Sequence, residues 1–94
     1  MAAYVVYIRD ETIDQAEMDV YMAKVVADVS GHPMTPLAYG DCEVLEGAPI
    51  ENVVIVSFPT VEDAKTWYNS PEYQAAVQHR FKGAKGRAFI VPGM

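Results

Sequence analysis

The sequence predicts an α+β domain of order βαββαβ, and three observations carry that prediction. Four short segments rich in β-branched and aromatic residues, near 3–9, 37–45, 52–58 and 87–91, read as strands. Two helical stretches separate the first strand from the second and the third from the fourth, whereas the middle connection is short. Finally, the second helical stretch is interrupted at Ser70-Pro71. A residue before proline is pushed out of the helical region, so that stretch is two helices rather than one.

Residues 3–9, AYVVYIR, form the first strand. Tyr4, Val6 and Ile8 point one way, and Val5 and Tyr7 the other, so both faces are apolar. Residues 10–13 make a turn, and Thr12 or Asp14 caps a long helix, with Gln15 or Glu17 as the third-position partner. Met18, Tyr21, Met22, Val25, Val26 and Val29 recur at helical spacing as its buried stripe, while Glu17, Asp19, Lys24 and Asp28 cover the wet side. Gly31 ends the helix and Pro33 prevents it from resuming. A Met and aromatic stripe at this spacing is ordinarily core rather than a cofactor site.

The second strand spans 37–45, with Gly40 marking a bulge or bend and Leu37, Tyr39, Asp41, Glu43 and Leu45 on one face. A turn at Gly47-Ala48-Pro49 leads into the third strand over 52–58, again apolar on both faces. Thr60 followed by Asp63 is a helix start, because the hydroxyl accepts an orphan backbone N–H and acids favour the positive end of the dipole. Ala64, Trp67 and Tyr68 share a face before the helix stops near Asn69. Ser70 then serves as N-cap and Pro71 as first residue of the next helix, whose Tyr73, Ala76, Val77, Arg80 and Phe81 line up. Residues 83–86 connect to the last strand at 87–91.

Ninety-four residues make a single domain, 1–94. The short middle connection suits an antiparallel hairpin, and right-handed crossovers put both helical units on one side of a four-stranded antiparallel sheet. The other side is then bare although its strands are apolar there too. A second copy packing sheet to sheet relieves that exposure, so a homodimer is expected.

Composition narrows the function classes. No apolar run approaches the roughly 20 residues of a membrane span, and no basic segment precedes the first strand in the manner of a signal peptide, so a cytoplasmic protein without membrane partners is expected. The net charge of −6 argues against nonspecific nucleic-acid binding. That charge is unevenly spread: every acid lies at or before Glu72, while Arg80, Lys82, Lys85 and Arg87 crowd the end. Cys42 stands alone and reads as a small strand hydrophobe, not a disulfide partner. There is no GxGxxG, GxxxxGK[ST], HExxH or CxxC, so neither cofactor nor metal is expected.

The run Trp67-Tyr68-Asn69-Ser70-Pro71-Glu72-Tyr73-Gln74, with Arg80 on the next turns, resembles the signature of domain of unknown function 1330. Glu43-Val44-Leu45-Glu46-Gly47 ahead of an apolar strand, and a terminal apolar strand ending in Gly93, are similar to that family as well, so the resemblance spans nearly the whole chain. It implies a ferredoxin-like fold, paired as a dimeric α/β barrel, and no agreed activity. Members of the family often carry Arg-Gly-Gly in the second strand, whereas this chain reads Ala38-Tyr39-Gly40. An anion-binding role attached to that arginine therefore does not carry over.

Two functional readings follow. In the first, a small molecule, anions among the candidates, is bound or transformed in a cleft beside Trp67, Tyr68 and Tyr73, with Arg80 as anion clamp, Tyr39 and Asp41 on the opposite wall, and His79 or Glu43 as candidate proton carrier. In the second, the protein is a non-catalytic dimeric accessory module whose surfaces matter more than any cleft. The first is the leading reading and the second the alternative, and each residue also has a plainer role: aromatics at a helix corner usually pack, a cation near a helix C-terminus is favourable without a ligand, and His79 is solvated.

Overall fold

The computed structural model describes residues 2–28 and 31–94, the side chains of 26–28 excepted. Its elements are β1 (Ala3–Thr12), α1 (Gln15–Asp28), β2 (Thr35–Gly40), β3 (Asn52–Phe58), α2 (Val61–Tyr68), α3 (Pro71–Gly83) and β4 (Ala84–Pro92). The four strands form one antiparallel sheet in the order β2-β3-β1-β4, so the two longest neighbours of the centre, β3 and β4, flank β1. This is the ferredoxin-like arrangement expected from the element order.

Local signals act where the sequence puts them. Thr60 is the N-cap of α2 and its hydroxyl accepts the Asp63 N–H at 3.0 Å. Ser70 caps α3, accepting from Tyr73 N at 3.3 Å and donating its own hydroxyl to the Trp67 carbonyl at 2.7 Å. The Gln74 amide reaches back to the Tyr68 carbonyl at 2.6 Å and closes the corner. Asp14 caps α1 through its carboxylate, bonded to Ala16 N at 3.1 Å. Thr12 does not cap; its N–H and hydroxyl both donate to Glu51.

Boundaries that depend on distant partners fall elsewhere than expected. β1 runs on to Thr12 instead of turning at 10–13, because a bulge between Arg9 and Glu11 keeps it paired with β4. For the same reason β4 begins at Ala84, three residues before the predicted start. β2 occupies 35–40 and not 37–45. Gly40, at φ +143°, turns the chain away, and β3 begins only at Asn52, one residue beyond the Gly40 partner Val53, so residues 42–45 have no strand to pair with. Of the predicted α1 stripe, Met18 and Tyr21 are buried, Val25 is half-buried and Met22 is exposed. Val29 and the side chain of Val26 lie outside the described residues.

The core fills the space between the helices and one side of the sheet. Val5, Met18, Tyr21, Phe58, Ala64, Trp67, Tyr73, Ala76 and Val77 form its buried cluster. Strand alternation puts Ala3, Val5, Tyr7 and Arg9 of β1 on this side, with Asn52, Val54, Val56 and Phe58 opposite them on β3. The C-terminus of α3 is tied to the start of α1: the Gly83 carbonyl accepts from Ile13 N at 2.7 Å and Asp14 N at 3.0 Å. A Cβ at Gly83 would stand 3.0 Å from the Asp14 carbonyl oxygen and from Met18 N, so any larger residue would require the start of α1 to give way by a few tenths of an ångström.

The far side of the sheet carries Tyr4, Val6 and Ile8 of β1, Val53 and Ile55 of β3, and Phe89 and Val91 of β4. Phe89 and Val91 are exposed, and no element among the described residues covers them. Trp67 is the anchor of the covered side, 5.5 Å from the Phe58 ring and 4.1 Å from that of Tyr73, centroid to centroid. Its replacement, Trp67→Ala, is expected to lower unfolding free energy by about 3–5 kcal/mol, read from urea denaturation. A loss below about 1 kcal/mol would show that the corner is held by its backbone caps rather than by its rings.

Candidate functional site

A cavity of about 120 Å³ remains between the sheet and the helices. Every layer contributes to it: Val5, Tyr7 and Arg9 from β1, Met18, Tyr21 and Met22 from α1, Val54 and Val56 from β3, Trp67 and Tyr68 from α2, Tyr73 and Arg80 from α3, and Ala88 from β4. Its walls are mainly aliphatic, thioether and aromatic. The titratable groups among its described lining residues are five tyrosines and two arginines.

Arg80 is the chemical centre. It is 6% exposed, at the sheet-facing side of α3, and its Nη1 donates to the Tyr73 hydroxyl at 3.0 Å. The Tyr73 and Tyr21 hydroxyls lie 2.8 Å apart, so one donates to the other, and their rings meet edge to face. The guanidinium carbon sits 4.3 Å from the centroid of the Tyr7 ring, 5.6 Å from that of Tyr21 and 5.5 Å from that of Phe81. Such contacts with aromatic faces stabilise a desolvated cation by about 2 kcal/mol or more. Among the described residues no carboxylate pairs with it. A charge buried this deeply ordinarily has a counterion.

The phenols around it are held neutral. Burial pushes the Tyr73 hydroxyl far above its ordinary value of 10.0, and the neighbouring Tyr21 adds to this while Arg80 opposes it. Burial likewise raises Tyr7, again against Arg80. For Arg80, burial works against the charge, but Tyr73, Tyr21 and Tyr7 outweigh it and its pKa stands above the usual one. The site at neutral pH is therefore one cation amid uncharged phenols.

Arg9 belongs to the same wall but is engaged elsewhere: its Nε lies 3.4 Å from Glu51, the carboxylate that also holds Thr12. Those Thr12 hydrogen bonds, more than Arg9, hold the Glu51 carboxyl below its usual range.

Of the residues singled out in the sequence, Trp67, Tyr68, Tyr73 and Arg80 meet at the cavity, and Tyr39, 65% exposed, stands on its wall at the β2 edge. Asp41 and Glu43 do not join them; they are exposed on the connection after β2, which leaves the sheet at Gly40. His79 is not solvated as expected. It is half-buried on the flank of α3 next to α1, with Nδ1 2.7 Å from a Glu17 carboxylate oxygen, away from the cavity lining. Tyr7, Arg9 and Tyr21 are site residues that sequence reasoning did not single out, Tyr21 having been read only as part of the buried stripe of α1. The available signal was the alternation Val5, Tyr7, Arg9, which sends two polar heads to the side of β1 shared with Val5.

A spectrophotometric pH titration tests the electrostatics. Tyr7 and Tyr73 have raised pKa values in the folded chain, so their contribution to stability is complete below about pH 10 and is lost as pH climbs toward the folded-state values. At about pH 11 the folded protein is expected to keep Tyr73 un-ionised, its ionisation coinciding with unfolding, while Tyr7 ionises after the unburied ones among its six tyrosines. All six ionising while the fold persists would contradict the burial of these phenols.

No curated protein matches the chain. Among solved structures it is similar to a protein of unknown function from Rhodopseudomonas palustris, with a TM-score of 0.78 at 16% identity over 99% of this chain and 82% of that one. It is similar as well to a dimeric ferredoxin-like protein of unknown function from Thermobifida fusca, at 0.68 and 11% over 99% and 92%. A third likeness is to SnoaB, a cofactor-independent oxygenase from Streptomyces nogalater, at 0.64 and 10% over 99% and 92%. At these identities the likeness is one of fold. The model of the family described as Domain of unknown function (DUF1330) matches residues 2–94, and the chain belongs to that family.

Proposed function

We propose that the protein is a homodimer that binds a small, largely apolar molecule with one anionic group in the cavity beside Trp67 and Arg80. The observation that carries this reading is the Arg80 guanidinium: buried, on a cavity wall, and without a carboxylate among the described residues. An anion entering the cavity supplies the missing counterion, and the apolar walls bind the remainder of the molecule. Trp67, Tyr68 and Tyr73 act as wall, Tyr39 as rim, and Arg80 as clamp.

Asp41, Glu43 and His79 lie apart from this lining, and the proposal gives them no contact with the ligand. Of the two proton carriers considered, His79 is engaged with Glu17 and Glu43 sits on the exposed connection. Any acid–base chemistry in the cavity falls to its phenols. The likeness to a cofactor-independent oxygenase supports a catalytic role only by analogy of fold.

The homodimer rests on the uncovered side of the sheet. Val6 and Ile55 lie at its centre, directly paired across β1 and β3, with exposed Phe89 alongside Val6 on β4. An apolar surface of this kind favours a second copy over water, and structural neighbours described as dimeric are consistent with it. The reading as a non-catalytic accessory module retains one supporting observation: Leu45, on the connection after β2, is 89% exposed, as befits a contact with another protein.

Two measurements bear on these statements. In an NMR titration with short aliphatic and aromatic carboxylates and their matched amides, the carboxylates are expected to bind more tightly. Arg80→Met should abolish that preference without unfolding the chain, because Tyr73 keeps Tyr21 as a partner. Equal binding of acids and amides, or none at all, would overturn the anion site. In analytical ultracentrifugation the wild type is expected at twice the 10.4 kDa chain mass and Ile55→Lys at 10.4 kDa. A wild-type monomer at micromolar concentration would refute the dimer.

A further inference from the structure

The two edge strands are the barest parts of the sheet. Every residue of β2 from Thr35 to Tyr39 is exposed, and so are Gly86 to Phe89 of β4. Beside β4 a second hollow, of about 320 Å³, opens between that strand and α2. Val5, Trp67, Tyr68, Ala88, Phe89 and Ile90 line it, and this described lining holds no charged group. The hollow is an apolar groove along a free sheet edge.

Opposite charges are divided between the same two edges. The connection after β2 carries Asp41, Glu43 and Glu46, all exposed, around a Leu45 that is 89% exposed. Among the described residues none of these three acids is in an ion pair. The β4 edge begins with Lys85 and Arg87, both exposed, and the contact of Arg87 with Asp10 is a long one in water, 3.7 Å, that contributes little. Strand register sets the two groups level. Gly40 pairs with Val53, Val53 with Ile8, and Ile8 with Arg87, so the acidic connection leaves the sheet on the row in which Arg87 stands. Three strand spacings, about 14 Å, separate the two edges within one chain.

We propose that residues 41–46 of one copy dock on the β4 edge of a second copy, with Asp41 and Glu43 against Lys85 and Arg87 and with Leu45 in the groove beside Trp67. This rests on the homodimer reading and fixes the direction of its two-fold axis. Sheets packed face to face keep their strands nearly aligned. With the axis along the strands, β2 of each copy lies over β4 of the other, and the shared row brings acids to bases at both ends of the interface. With the axis across the strands, each edge strand faces its own copy and the charges find no partner. The reach is sufficient. Four residues from Asp41 to Leu45 span up to about 13 Å, and the groove residues Ala88 to Ile90 lie about 3–10 Å beyond Arg87 along β4. Donor and acceptor surfaces belong to one chain, which favours a second copy over an unrelated protein.

Sedimentation equilibrium decides it, on the charge-reversed variants Asp41→Lys/Glu43→Lys and Lys85→Glu/Arg87→Glu and on their equimolar mixture. Each variant alone sets like charges together at both contacts, and is expected to raise the dimer Kd at least about tenfold. The lysine variant is the sharper probe: it reduces the net charge of −6, and bulk repulsion alone would make it associate more tightly. The mixture is expected to recover wild-type association, because one contact of the mixed dimer is native and the other has both signs exchanged. Leu45→Ser is expected to weaken the dimer about tenfold through lost apolar burial. A wild-type monomer overturns the homodimer and this inference together. Variants that dimerise as the wild type does, or a lysine variant that dimerises more tightly, overturn the docked connection and leave the homodimer standing. Weakened variants whose mixture stays weak refute the pairing of the two edges. Unchanged association of Leu45→Ser overturns the seat assigned to that side chain alone.

Discussion

The structure depends on where it keeps the Arg80 charge. A guanidinium with five donors cannot be taken out of water cheaply, and this one is covered by the sheet, α1 and α3 at once. The chain compensates with phenols instead of carboxylates: a hydrogen bond to Tyr73, the face of Tyr7, and Tyr21 behind. Each choice has a consequence for the rest. A carboxylate partner would have neutralised the centre and left the cavity with a dipole; phenols support the cation and leave its charge uncompensated. The apolar walls then sharpen that charge, since a low dielectric strengthens whatever electrostatic interaction it makes.

The helix break at Ser70-Pro71 prepares this arrangement. Because α2 stops at Tyr68 and α3 starts at Pro71, the Trp67 and Tyr73 rings meet at 4.1 Å and the Tyr68 and Tyr73 rings at 5.4 Å. Two turns of α3 later, Arg80 lies within reach of the Tyr73 hydroxyl, the i to i+7 spacing that returns a side chain to the same face. The corner therefore serves both readings that the sequence had set against each other. Its rings fill the core at one end and wall the cavity at the other, so anchor and site are the same residues seen from two sides.

Legibility followed the range of the interaction. The caps at Thr60 and Ser70, the stop at Asn69 and the extent of β3 over 52–58 were readable because each is decided within a few residues. The ends of β1, β2 and β4 were not, because each is set by a partner strand far away in sequence: a bulge opposite β4 prolongs β1, and the late start of β3 truncates β2. That truncation carried Asp41 and Glu43 off the sheet and out of the site. Tyr7 was hidden for another reason. A strand apolar on both faces does not declare which face is inward, and only the buried Val5 and the overlying Arg80 orient it. Arg80 itself was legible as a residue of interest, but its lack of a carboxylate partner among the described residues is a property of the assembled core that no local pattern records.

The two faces of the sheet carry separate duties. Along β1, Tyr7 turns toward Arg80 while its neighbours Val6 and Ile8 turn to the uncovered side. A second copy on that side, as proposed, adds no wall to the cavity. It acts on the site through the strands, since pinning Val6 and Ile8 against a partner restricts the backbone from which Tyr7 projects. The hydrogen-bonded register then transmits that rigidity to Val54 and Ala88, the direct partners of Tyr7 and themselves part of the cavity lining. A cavity walled by several elements needs such a floor, because its walls keep their spacing only if the backbone beneath them is fixed. Preorganisation of this kind is cheaper to build into a central strand than into a loop. That gives a physical reason for the cavity to be walled by β1, the strand flanked on both sides, while the exposed connection after β2 supplies none of its lining residues.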